Sequence, residues 1–149
     1  MKLLNTITDF HHGVDVLSYH CRKLNITEGD MFITLKPIYA ETSHGLYSQI
    51  SLIINKHPIH CVGVIEAEKS IFQHHIQKYA DQFLPPVFYH GHLIVKNSPG
   101  LLEFKKSWVE QNENTFQSFN RKEVFDLPGL VNYISKQVNN NPSFRAFVA

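Results

Sequence analysis

"FYHGHLIV", residues 88–95, is the stretch on which the fold turns. Its apolar and aromatic residues read as a buried β-strand, yet two histidines stand one residue apart within it. Alternate residues of a strand face the same side, so His90, His92 and Ile94 share a face. Two neutral imidazoles, roughly 6–7 Å apart along a strand, can converge on one divalent ion. The plainer alternative is a pair of hydrogen-bonded edge or core histidines.

Upstream, "IHCVGVIEAE" (59–68) is a second strand, rich in β-branched residues. His60, Val62, Val64, Glu66 and Glu68 fall on one face of it. A carboxylate is costly to bury unpaired, so Glu66 and Glu68 either mark the strand's exit into solvent or meet the histidines of a neighbouring strand. A His-His-Glu set suits Mg²⁺ or Mn²⁺ when a phosphate oxygen supplies further ligands. Glu66, directly after "VGVI", is the preferred third ligand, with Glu68 the alternative and His60 a further candidate.

Between these strands, "KSIFQHHIQKYADQFL" (69–84) has the pattern of an amphipathic helix, ended by Pro85 and Pro86. Further upstream, "EGDMFITLKP" gives a turn and then a strand at about 31–36, stopped by Pro37. Residues 38–54 carry Leu46, Ile50, Ile53 and Ile54 at helical spacing, against the weakening effect of Gly45. Downstream, "NSPG" is a turn and 101–112 a helix. In "FDLPGLVNYISKQVNN", Asp126 is placed to cap a helix with Pro128 in its first turn. Val131, Ile134 and Val138 form its apolar stripe; Tyr133, Lys136 and Gln137 lie on another face. This order implies an α+β fold, a mainly antiparallel β-sheet flanked by helices. The first thirty residues can add a strand and a helix.

A chain of 149 residues suits one domain, 1–149, with a core of its own. There is no P-loop, hence no helicase domain, and no apolar run of bilayer-spanning length or signal peptide. Cys21 and Cys61 are spaced for neither a CxxC site nor a disulfide framework, which suits reduced thiols in the cytoplasm. The net charge of +1 excludes a global basic footprint, so any nucleic-acid site must be local. Lys36, Lys96, Lys105, Lys106, Arg121 and Lys122 are candidate backbone contacts, each also an ordinary solvated side chain. Trp108, Phe144 and Phe147 can stack on bases or pack in the core.

Tyr133 and Lys136 stand one helical turn apart on the same side. An ordinary tyrosine is a poor nucleophile at neutral pH, and a nearby ammonium would help it attack a polarised phosphate. In order, "MFITLKP", "VGVIEAE", "FYHGHLIVK" and "LVNYISKQV" resemble the motifs of the HUH endonuclease superfamily. The similarity is greatest to the Rep-type initiators of rolling-circle replication, and it covers residues 31 to about 138. Gly91 departs from the pattern, since a bulky apolar residue usually separates the two histidines. The long span between Glu66 and His90 departs from it too.

The resemblance implies a Mn²⁺ or Mg²⁺ ion held by His90, His92 and Glu66, with Tyr133 as nucleophile and Lys136 balancing charge. It implies a nickase that forms a 5′-phosphotyrosine on single-stranded DNA or an origin hairpin; without a P-loop, unwinding has to come from elsewhere, from a separate helicase, supercoiling or the hairpin itself. Two alternatives fit parts of the sequence. One is a non-catalytic single-strand-binding module of the same architecture. The other is an ADP-ribosyltransferase-like enzyme, suggested by "DFHHGVDVL" before "EGDMFITLKPIYA", which leaves "YHGHLIV" and "YISK" unexplained.

Overall fold

The structure, a computed structural model, describes residues 5–7, 13–38, 42–67, 89–138 and 145–149. The helix expected at 69–84 lies outside the described residues, as do Glu68 and Phe144.

Among the described residues, six strands form one sheet: β1 (Asn5–Ile7), β2 (Met31–Leu35), β3 (Cys61–Ala67), β4 (Tyr89–Val95), β5 (Phe119–Glu123) and β6 (Arg145–Val148). Their order across the sheet is β1-β6-β3-β4-β2-β5, and every neighbouring pair runs antiparallel. The helices are α1 (Gly13–Lys23), α2 (Ser43–Lys56), α3 (Gly100–Gln111) and α4 (Leu127–Val138). The α+β class expected from the sequence is the class observed. Among the described residues, no helix is long and apolar enough to cross a membrane.

The histidine strand, β4, is central, with β3 on one side and β2 on the other. Its two faces meet different helices. Cys61, Ile65, Leu93, Val95, Ile33 and Leu35 face α2 and α3, whose Ile50, Ile53, Phe104 and Trp108 are fully or almost fully buried. Val62, Val64 and Ile94 face α1 and α4, which contribute Leu17, Cys21, Val131 and Ile134. Each large side chain buried this way contributes about 1.5–3 kcal/mol. Trp108 belongs to the core, where its indole N–H donates to the Ser118 carbonyl at 2.9 Å. Phe147 is also core, and it explains Gly63: a Cβ at Gly63 would overlap the Phe147 ring, its cross-strand partner.

The helix expected at 38–54 begins later, at Ser43, because Thr42 caps it by accepting from the Gly45 amide at 2.9 Å. The glycine that weakens the helical pattern sits beside the cap, where a Cβ would come within 3.0 Å of the Thr42 hydroxyl. At α4 the cap is Asp126, accepting from the Gly129 amide at 3.1 Å.

Candidate metal centre

Register brings the site together. Glu66 on β3 pairs with His90 on β4, while His92 pairs with Val64 on one side and Thr34 on the other. Directly opposed residues share a face, so Thr34, Glu66, His90 and His92 form a polar end to a face that Phe32, Val62, Val64 and Ile94 otherwise make apolar on these three strands. Glu66 Oε1 lies 2.7 Å from His90 Nε2 and 3.0 Å from His92 Nε2. The imidazole rings meet edge to face with centroids 4.8 Å apart.

One ligating atom from each residue can be chosen with all of them within 4.8 Å of one another. Adjacent ligands of an octahedral ion with bonds of about 2.1 Å stand about 3 Å apart, close to the observed carboxylate–imidazole separations. The donor set of two imidazoles and a carboxylate suits a first-row divalent ion or Mg²⁺. Two buried atoms point the same way: among the described residues, Glu66 Oε2 and His90 Nδ1 meet no hydrogen-bond partner. Leaving such atoms unmet costs about 1–3 kcal/mol each, more for a charged group. A cation beside the carboxylate would answer that cost at Glu66.

Burial works to raise the Glu66 carboxyl's pKa. The hydrogen bonds from His90 and His92, and their positive charge, outweigh it and hold the group down at about 2. Glu66, only 2% exposed, is therefore ionised at neutral pH and ready as a ligand.

His92 is held on two further sides. Thr34 Oγ1 lies 3.2 Å from its Nδ1, and the Phe32 ring stacks on it at a centroid distance of 5.4 Å. Gly91 points to the opposite face, where a Cβ would sit 3.5 Å from Ile50 Cδ1 and 3.8 Å from Leu35 Cβ. Ile50, from α2, thus fills the space that a bulky middle residue would occupy.

Tyr133 projects from α4 above this end of the sheet. It is 53% exposed, and its ring centroid is 6.5 Å from that of His92. Neighbouring Ile134 is buried and anchors the helix. Lys136 lies on the same helix, one turn on; its side chain lies outside the described residues.

The other cations are scattered. Lys36 follows the triad end of β2 and is exposed. Lys96 follows the opposite end of β4, tied to the Asn25 carbonyl at 2.9 Å and to Asp30 at 3.3 Å. Lys105 and Lys106 are on α3, across the sheet from the triad. His60 precedes β3 at the end away from Glu66, roughly 20 Å along the strand, and does not join the triad. Sequence reasoning missed Thr34 and Phe32 as supports of His92, although both belong to the quoted "MFITL" stretch. No protein-family description, curated protein or solved structure matches this chain.

Proposed function

We propose that the chain is a metal-dependent, single-tyrosine nickase of single-stranded DNA, of the Rep-type HUH kind, serving replication or mobilisation of a viral, plasmid or transposable DNA. The observation that carries this reading is the position of Tyr133, exposed and 6.5 Å ring to ring from His92, over a triad whose carboxylate has one unmet buried oxygen. A tyrosine beside a ligand set is the pairing that covalent cleavage of a phosphodiester needs.

Glu66, His90 and His92 would hold Mn²⁺ or Mg²⁺, which when bound supplies positive charge to the non-bridging oxygens of the scissile phosphate. Glu66 brings the negative charge that selects a cation. Thr34 and Phe32 keep the His92 ring in place. The Tyr133 oxygen forms the new bond to phosphorus, and the bond from phosphorus to the 3′ oxygen breaks. The phenol gives up its proton, and the departing 3′ oxygen takes one up. A phosphodiester is exchanged for a phosphotyrosyl diester, so a later hydroxyl can reverse the step and rejoin strands. Lys136, on the Tyr133 helix, is proposed to balance charge at the phosphate. Unwound or hairpin DNA, with a separate helicase, completes the scheme.

Incubation with a randomised single-stranded DNA library and Mn²⁺, resolved on a denaturing gel, tests it. Wild type should give a covalent protein–DNA band that chelator and Tyr133→Phe both abolish. Cleavage that survives Tyr133→Phe would contradict the reading.

A further inference from the structure

Strand β5 ends one side of the sheet: among the described residues it has a neighbouring strand, β2, on one edge alone. Its hydrogen bonds decide which backbone groups are taken. The Lys36 amide donates to the Ser118 carbonyl and the Val124 amide to the Asp30 carbonyl, each at 2.8 Å. Backbone groups alternate sides along an antiparallel strand, so Asn120 and Lys122 bond inward to β2. Arg121 and Glu123 turn their amides and carbonyls outward, to the open edge.

The side chains alternate too. Lys122, opposite Phe32, stands on the triad face, whereas Arg121, opposite Ile33, stands on the face that meets α2 and α3. Asn120 to Glu123 are all exposed, and Arg121 and Glu123 form no ion pair among the described residues. Charge on an edge strand deters indiscriminate pairing. Yet "FNRKEVF", residues 119–125, is self-complementary about Lys122, with Arg against Glu and Phe against Phe.

We infer that this edge pairs with the same edge of a second copy of the chain, antiparallel about a twofold axis at Lys122. The inference goes beyond the nickase reading and needs neither metal nor DNA. Registers centred on Arg121, Lys122 or Glu123 all bring the outward backbone groups together, and charge chooses between them. An axis at Arg121 sets arginine against arginine; one at Glu123 sets glutamate against glutamate. An axis at Lys122 sets Arg121 of each copy against Glu123 of the other, and each pair exchanges two backbone hydrogen bonds. Opposite charges directly across a ladder stabilise it, and like charges do the reverse. One like pair is left, Lys122 with its copy, whose long stems carry the ammonium groups apart into solvent. Phe125, 89% exposed just past the strand, falls at each end of the joined segment, opposite Phe119 of the other copy. The two sheets then run on as one. Both triads open on the same face of it, because a twofold axis normal to a sheet preserves its sides.

Sedimentation equilibrium at rising protein concentration, in chelator and without DNA, tests the pairing. Wild type should move from monomer mass toward dimer mass. Arg121→Glu should weaken the dimer about tenfold by opposing like charges in both pairs, and Glu123→Arg should do the same. Arg121→Glu combined with Glu123→Arg brings opposite charges together again and should restore the dimer. Lys122→Ala removes the repulsion at the axis and should tighten it severalfold. Thermal melting checks that these changes at exposed side chains leave the fold intact. A monomer mass at every concentration overturns the inference. So does a dimer that the single charge reversals leave as tight, or a double variant that associates no better than the singles.

Discussion

The Thr34 hydroxyl oxygen lies 3.2 Å from Nδ1 of His92, on the side of the ring away from Glu66. A histidine that ligates through Nε2 needs its other nitrogen protonated and aimed. With an ion bound at Nε2, Thr34 would meet that need by accepting from Nδ1–H. Thr34→Val keeps the shape and removes the acceptor. It should lower Mn²⁺ affinity about tenfold with little loss of fold, as read by calorimetric titration and thermal melting.

Glu66→Gln removes the charge that recruits a cation while preserving a side chain of the same size. Mn²⁺ binding should fall at least tenfold, by the same titration. His90→Ala and His92→Ala should weaken binding comparably, whereas Tyr133→Phe should leave it unchanged, because the phenol is not among the ligating groups. Metal binding and covalent chemistry are thereby separated.

Gly91 faces Ile50 and Leu35 at ordinary contact distance for a methyl group. Gly91→Ala should be tolerated within about 1 kcal/mol, and Gly91→Leu should destabilise by about 1–3 kcal/mol through overpacking. Ile50→Ala in the same chain should recover much of that loss, because it clears the space the new side chain needs. Urea unfolding of the single and double variants measures the coupling.

Asp30 anchors the opposite end of β4. Its carboxylate accepts from the Thr27 amide at 2.8 Å, the Asn97 amide at 2.9 Å and Lys96 at 3.3 Å. Burial pushes its pKa up, and these hydrogen bonds with the Lys96 charge outweigh it, leaving the group below its ordinary 3.8. Its contribution is therefore fully present above that value and is lost as pH falls through the lower, folded value. Asp30→Ala should cost about 3 kcal/mol by leaving amides unmet. Asp30→Asn should flatten the acid limb of the stability curve below about pH 4, measured by urea midpoints against pH.

What the sequence made legible follows burial. The three central strands and helices α2, α3 and α4 carry apolar residues at strand or helix period, so their positions could be read. Strand β5, "FNRKE", could not: at the sheet edge only Phe119 is buried, and Asn120 to Glu123 face solvent without apolar alternation. The short β6 sits at the chain end, and Phe147 reads as an aromatic tail until β1 and β3 are seen on either side of it. Glu66, His90 and His92 were legible because polar residues interrupt buried strands. Thr34 was not, because its contact with His92 depends on the register between β2 and β4.

The proposed nickase chemistry requires the Tyr133 oxygen to form a phosphotyrosyl bond at a phosphate held over Glu66, His90 and His92. Peptide mass spectrometry after incubation with single-stranded DNA and Mn²⁺, followed by nuclease trimming, tests it most directly. A nucleotide-mass addition is expected on the peptide containing Tyr133, absent with chelator and in His90→Ala. An adduct on a different residue, or DNA cleavage with Tyr133 unmodified and dispensable, would contradict it.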